Sequence, residues 1–405
     1  MSNKHQFRWI IVAGIAVLAV ALGVFAFVRW GKPEPGQAEF KAYKADYQAG
    51  NLRSAIEHCR LAADQGNLKA QTLLGLFYSL GTGVEQDHAE AVKWYRKAAE
   101  QGYGTAQTEL GVCYECGEGI EQDYAEAVKW YEKAAEQGNA QGQLRLGTAY
   151  SLGRGIEPDD EAAFYWIYKA AAQGDDTAQY NLGLLYRKGK GVTRSDKKAA
   201  KWFKKAAKQG NADAQYKYAS LMQYGPADEC DEKEVFKWYS KAAEQGHLEA
   251  MHELYYCYRA ASGVEQDIRQ AIYWLRKAAE QGNSESQITL GNHYRRGFGV
   301  PKDEGETFYW YRKAADQGDG EAQCGVGVCY EVGIGIEPDI DEAVKWYRLS
   351  AEQGNRHGQY ELGKCYREGK GVEKDMAEAV KWYRLAAEQG SGDAKDALKE
   401  LNVAE

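Results

Sequence analysis

The residue types suited to covalent, redox or metal chemistry are few in this 405-residue chain: eight cysteines, seven histidines and one Ser-x-x-Lys. Cys113 and Cys116 form a lone Cys-x-x-Cys, the spacing at which two thiols can bridge or cycle between redox states. Cys113, Cys257, Cys329 and Cys365 nevertheless share one register of a longer period, and the same register elsewhere holds Phe77, Ala149, Leu185 and Leu221. A position that accepts Cys, Phe, Ala and Leu is a core position, where cysteine acts as a small hydrophobe. His247 and His252 are five apart, off a common helix face, and no histidine cluster with ligand spacing occurs. The chain has no HExxH, no phosphate-cradling glycine loop and no GxSxG. Ser195 and Lys198 fit S-x-x-K, but no Lys-Thr-Gly accompanies them, and Ser195 sits where a helix begins, a place that favours serine as a cap. These residues converge on no catalytic set, so no enzyme activity, metal or cofactor is expected.

The elements that carry them follow a fixed beat. Trp94, Trp130, Trp166, Trp202, Trp238, Trp274, Trp310, Trp346 and Trp382 recur every 36 residues, and ten Gln-Gly pairs from Gln65-Gly66 to Gln389-Gly390 keep the same step. A period of this size specifies a stacked repeat array, which grows by adding units rather than by enlarging one core. In Gly104–Asn139 one helical pattern runs from about Thr105 to Cys116 and ends at Gly117-Glu118-Gly119. A second runs from about Asp123 to Gln137, with Asp123 and Glu126 spaced as a capping box. Ala127, Trp130, Tyr131, Ala134 and Ala135 make one apolar stripe on the second helix. In the first helix Gly111, with Gly75, Gly147, Gly183, Gly291, Gly327 and Gly363 in its register, predicts a close helix–helix approach.

The succession A-x-x-x-L-G-x-x-Y, G-x-G, A-x-x-W-Y-x-K-A-A-x-x-G resembles the Sel-1-like repeat family, a relative of the tetratricopeptide repeats. The resemblance covers residues 68–391 as nine full units, preceded by a degenerate capping unit at 40–67 and followed by a polar capping helix at 392–405. It implies an all-α fold, a right-handed α-solenoid of antiparallel helix pairs, with adaptor or scaffold work in protein complexes, often at bacterial envelopes, and no reaction. Some cysteine-rich members pair a Cys near one helix end with another at the next helix start. The matching positions here are Ala134 or Ala135 and Gly142 or Gln143, so that framework is absent. Because some members are linked to β-lactam binding, a β-lactam-binding or hydrolysing relative using Ser195 is one alternative. An envelope glycan or peptidoglycan scaffold is another, and it would favour exposed tyrosines over arginines.

If the first helices line the partner-facing surface, their variable positions are the recognition residues. Arg187, Lys188, Lys217, Tyr224, Tyr255, Tyr256, Arg259, Asn292, Arg295, Arg296 and Arg367 make this stretch basic and aromatic in a chain of net charge −8. The expected partner is a protein or peptide, acidic or phosphorylated, held by arginine forks and tyrosine stacking. Repeats five and six, numbered from residue 68, depart from the pattern here: Tyr224-Gly225-Pro226-Ala227-Asp228 replaces the usual turn, Tyr255 replaces the contact glycine and Ala261 the first turn glycine. The acidic balance argues against a general nucleic-acid role.

Before the array, residues 1–8 form a basic tail, and Trp9–Val28 is an uncharged apolar run, long enough to cross a bilayer as an anchor helix over 9–30 with Trp9 and Trp30 at its ends; a signal peptide cleaved at Ala19-Val20-Ala21 is the rival reading. Residues 31–39 read as a linker. The basic tail favours a cytoplasmic N-terminus, so the expectation is a single-pass protein of the bacterial inner membrane with its repeats in the periplasm. No Asn-x-Ser/Thr sequon occurs, which fits a bacterial origin.

Overall fold

The computed structural model describes residues 34–225 and 230–401. Among them are twenty-one α-helices and no strand. They fall into two compact segments, divided after Asp123. The first holds α1 (Gln37–Gln48), α2 (Leu52–Asp64), α3 (Leu68–Leu80), α4 (His88–Glu100) and α5 (Gly104–Cys116). The second opens with α6 (Tyr124–Glu136), α7 (Ala140–Leu152), α8 (Asp160–Ala172), α9 (Asp176–Lys188), α10 (Asp196–Lys208) and α11 (Ala212–Tyr224). It continues through α12 (Glu232–Glu244), α13 (Leu248–Ala260), α14 (Ile268–Glu280), α15 (Ser284–Arg296) and α16 (Glu304–Ala315). It closes with α17 (Gly320–Val332), α18 (Ile340–Glu352), α19 (Arg356–Glu368), α20 (Met376–Glu388) and α21 (Gly392–Glu400). Within each segment successive helices pack on one another, as expected of a helical repeat solenoid.

The expected membrane helix at 9–30 lies outside the described residues. Among the described residues no helix is long and apolar enough to cross a membrane. Repeat helices of 13 residues rise only about 20 Å, short of a hydrocarbon core of about 30 Å. The single-pass inner-membrane placement drawn from the sequence is therefore withdrawn.

The helix ends explain why the repeat keeps its length. Asp87, Asp159, Asp267, Asp303, Asp339 and Asp375 cap the second helices, each accepting from backbone N–H groups of the first turn. The capping box is only half made. In repeat one the cap's own N–H donates to the Tyr78 carbonyl of the preceding helix at 2.9 Å, so it is not left for the Glu at the third position. That Glu turns outward instead: Glu90 takes Lys93 at 2.7 Å, and Glu306 accepts from Trp310 Nε1 at 2.9 Å. First helices mostly stop at a left-handed glycine, such as Gly297 at φ 68°.

The contact glycines behave as their register predicts. A Cβ at Gly327 would lie 2.5 Å from the Tyr347 ring, and one at Gly183 2.5 Å from Phe203, so the absent side chain is what seats the second-helix ring. Each tryptophan packs beside a basic stem: Lys97 Nζ lies 3.7 Å from the Trp94 ring centre and Lys205 3.8 Å from Trp202. Where Leu349 replaces that lysine, Arg312 of the preceding repeat covers Trp346 at 4.9 Å.

A buried hydrogen-bond ladder joins neighbouring repeats and accounts for the Gln-Gly beat. Gln143 on α7 donates to the Ala135 carbonyl at the end of α6 at 3.1 Å and accepts from Gln173 beyond α8 at 2.8 Å. The same pair recurs as Gln179 with Gln209, Gln215 with Gln245, Gln287 with Gln317, Gln323 with Gln353 and Gln359 with Gln389. Each first-helix glutamine thus satisfies a helix-end carbonyl that burial would otherwise leave unpaired. Repeat six interrupts the ladder: Met251 stands in the register and meets Gln281 only through sulfur at 3.8 Å. At the end of the array, α21 buries Ala394, Ala397 and Leu398 and exposes its charged side.

Candidate functional site

The eleven expected recognition residues all lie on first helices of the second compact segment, but the structure treats them differently. Arg187 and Lys188 end α9, and Arg295 and Arg296 end α15; none of the four makes a side-chain hydrogen bond or ion pair among the described residues. Tyr224 closes α11 with 67% of its surface exposed, and Tyr256 on α13 is exposed beside the His252 ring. Lys217 lies over the Tyr216 ring at 4.9 Å. These side chains are presented to solvent along consecutive first helices.

Three expectations need correction. Tyr255 is 2% exposed; it occupies the contact-glycine register, so its ring fills the interior and cannot meet a partner. Asn292 accepts from the Tyr311 hydroxyl at 2.6 Å and is committed to its own helix pair. Arg367 reaches Glu400 of the capping helix at 3.2 Å and lies 3.7 Å from Glu368, in a charge network with Lys364, Glu331 and Glu361. It fastens the end of the array rather than extending the central face.

That face is also less uniformly basic than its variable registers suggested. Glu253 on α13 accepts from Tyr224 at 3.3 Å, and Glu249 and Glu285 act on the Tyr216 hydroxyl. Burial raises the Glu253 carboxyl above its usual range, and burial with the Glu253 charge pushes the Tyr224 hydroxyl up to about 12. The surface is a tyrosine and glutamate floor with arginines at both ends. Glu253 escaped sequence reading because it lies in the register of Lys217, one turn before the positions compared.

One relationship ties several residues on this face to the second helices. The second-helix tyrosine hydroxyl reaches across its pair and takes the variable residue: Tyr239 donates to Gln223 at 2.7 Å and Tyr347 to Glu331 at 2.6 Å. Where the second-helix residue has no hydroxyl, as at Phe203 and Leu275, the facing register holds Arg187 and Arg259, although Ile167 faces Ser151. Where the hydroxyl is turned to Asn292 instead, the register holds Arg295. Arg259 alone of these three finds an internal acceptor, the Tyr255 hydroxyl at 3.2 Å.

The chemically reactive types are placed in the interior or at helix ends. Ser195 Oγ accepts the Lys198 N–H at 3.3 Å as an N-cap. Cys113, Cys257, Cys329 and Cys365 are all buried, and burial pushes each thiol up to about 12, far from the thiolate needed for redox exchange. His252, Ser286 and Glu285 approach a relay, with Nδ1 to Ser286 Oγ at 2.8 Å and Nε2 to Glu285 at 3.4 Å. Ser286 is 0% exposed, so that hydroxyl packs two helices together and no substrate reaches it.

A further set went unread in the sequence. Tyr165, Tyr273 and Tyr309 stand immediately before the repeating tryptophans, 46–53% exposed, in a register otherwise held by lysine. Lys169, Lys277 and Lys313 lie over their rings at 4.5, 6.0 and 4.9 Å. The Lys-to-Tyr change was the available signal.

Comparison with known proteins bears on this geometry. The family model described as Sel1 repeat matches residues 46–67, 68–103, 104–139, 140–175, 176–211, 212–247, 248–283, 284–319, 320–355 and 356–391. Among solved structures, the chain resembles a protective antigen present in uropathogenic Escherichia coli strains and displaying an SLR fold. The identity is 37% and the TM-score 0.74, over 90% of this chain and 79% of that one. It also resembles a Sel1 repeat protein from Oxalobacter formigenes, at 29% identity and TM-score 0.60, over 94% of this chain and 98% of that one. No curated protein matches the chain.

Proposed function

The chain belongs to the Sel1 repeat family, a fold generally used for protein–protein interaction, and we propose that it is a scaffold or adaptor whose partner docks on the first helices of repeats four to seven. The observation that carries this reading is the coupling just described. Arg187, Arg259 and Arg295 occur where no second-helix hydroxyl claims the register, while Gln223 and Glu331 occur where one does. Arg187 and Arg295, which make no side-chain hydrogen bond or ion pair among the described residues, and the exposed Tyr224 and Tyr256 have the character of interface anchors. Carboxylate-bearing protein segments fit the arginine ends, which can take them in bidentate geometry, while Tyr224 and Tyr256 offer stacking surfaces between. Glu253 and Glu285 require that such a partner also carry a basic or hydroxyl-bearing residue at the centre.

A glycan ligand is the second reading. It is favoured by the exposed Tyr165, Tyr273 and Tyr309, whose rings offer flat stacking platforms on the second helices.

The test is in-cell crosslinking and affinity capture of the chain beside a variant with Arg187, Arg259, Arg295 and Arg296 changed to Glu. Proteins retained by the parent and lost from the variant support the first-helix face. Equal retention by both removes it. Loss of capture on changing Tyr165, Tyr273 and Tyr309 to Ala, with binding to envelope polysaccharide, supports the glycan reading.

A further inference from the structure

Repeat six differs from its neighbours in more than sequence. Tyr255 is buried, and its hydroxyl meets His293 Nε2 at 2.8 Å. His293 Nδ1 lies 2.6 Å from the Phe298 carbonyl, which can only accept. Nδ1 must therefore carry the proton, and Nε2 of a neutral imidazole must accept from Tyr255. The Tyr255 oxygen in turn accepts from Arg259 Nη1 at 3.2 Å. One directed chain, Arg259 to Tyr255 to His293 to the Phe298 carbonyl, thus spans α13, α15 and the turn after α15. Every group in it is satisfied in one protonation state.

We propose that this chain is a proton-sensitive clasp between repeats six and seven, closed while His293 is neutral and opened, with release of Arg259, when His293 takes a proton. A proton on Nε2 turns an acceptor into a donor aimed at the Tyr255 oxygen. That oxygen already receives the Arg259 N–H, and the Tyr255 hydrogen, in a side chain only 2% exposed, loses its acceptor. The new imidazolium also faces two guanidiniums, Arg259 from α13 and Arg296 from its own helix. From the other elements around it, Leu275 of α14 is apolar and the Tyr311 hydroxyl of α16 is committed to Asn292. Glu285 on α15 faces His252 at 3.4 Å. Burial, with the two arginines, holds His293 below the ordinary histidine value. The contribution is therefore fully present above the unfolded-state value of about 6.5 and is lost as pH falls through that value toward the folded one. The clasp stands independently of what the arginine face binds.

Amide hydrogen exchange of the full chain at about pH 7.5 and about pH 5.5, each corrected for intrinsic exchange, tests it. Peptides spanning 248–300 lose about tenfold in protection at the lower pH relative to those spanning 320–391. The comparison is made in a His252→Gln background, because burial outweighs Glu285 and holds His252 below the ordinary value too; there His293→Gln abolishes the difference. Uniform loss across the repeats, no local loss, or a local loss that persists in His293→Gln overturns the proposal. Histidine C2-hydrogen exchange of the unaltered chain gives a second readout that needs no variant. His293 titrates below the ordinary value, in step with the local loss, and its midpoint rises in Tyr255→Phe, which removes the donor favouring neutral imidazole. A midpoint at or above the ordinary value in the parent overturns the clasp.

Discussion

Tyr255 and Leu275 exchange the roles that glycine and tyrosine hold in most other repeats. Elsewhere a first-helix glycine makes room for a second-helix ring, as Gly327 does for Tyr347 and Gly363 for Tyr383. In repeat six the ring stands on the first helix, at 2% exposure, and faces a fully buried Leu275 in the same core cluster. Aromatic volume has moved across the helix pair without changing how much of it the pair contains.

The exchange predicts strong coupling. Tyr255→Gly alone opens a cavity and costs about 3–5 kcal/mol. Leu275→Tyr alone overfills the pair and costs about 1–3 kcal/mol. The double variant recovers most of both losses, and a denaturant-unfolding double-mutant cycle measures the coupling. Additive losses would show that the two positions do not share one space.

Ala261 holds the left-handed conformation at φ 60°, the only described non-glycine with positive φ. An L side chain pays about 1–2 kcal/mol there, partly offset by the extra freedom of glycine in the unfolded chain. Ala261→Gly is therefore expected to stabilise by about 0.5–1 kcal/mol. The converse change Gly297→Ala, at φ 68°, destabilises by a similar amount. Thermal or urea unfolding of both variants checks the opposite signs.

The glutamine ladder gives a paired prediction. Gln287→Leu strands the Ala279 carbonyl and the Gln317 amide that Gln287 now satisfies, at a cost of about 1–3 kcal/mol. Met251→Gln restores the missing rung opposite Gln281 and gains about 0.5–1.5 kcal/mol. Hydrogen exchange at the 244–251 and 280–287 junctions localises either effect to its own repeat boundary.

The hydroxyl coupling predicts that Tyr239→Phe frees Gln223 while leaving the fold intact, because the ring stays seated and only the 2.7 Å bond is lost. The loss is expected at about 0.5–1.5 kcal/mol. Phe203→Tyr adds a hydroxyl facing Arg187 and weakens whatever binding Arg187 contributes. Unfolding measurements and affinity for the captured partner separate the two consequences.

Sequence periodicity alone revealed the helix pairs, the contact glycines and the buried cysteine register, because each repeats at fixed spacing and obeys simple volume rules. It did not reveal the ladder, since a buried glutamine such as Gln143 looks like any polar helix residue until its two partners, Ala135 and Gln173, are brought beside it. The expected recognition set includes three residues that the structure commits to internal contacts, Tyr255, Asn292 and Arg367. Tyr255 sits among the expected surface aromatics although it stands in the contact-glycine register, where the loss of a ring at Leu275 makes room for it inside. Arg367 reads as one more free arginine, yet α21 brings Glu400 to it. Both errors come from partners in other elements, which a register comparison does not see.

Partner docking on the first helices of repeats four to seven is open to test by site-specific photo-crosslinking. A photoreactive phenylalanine analogue is placed singly at Arg187, Tyr224, Tyr256 and Arg295, and at Tyr165, Tyr273 and Tyr309 on the second helices. One common protein adduct is expected from the first group and none from the second. Adducts confined to the second-helix positions, or none from any first-helix position while the partner is still captured, would contradict it.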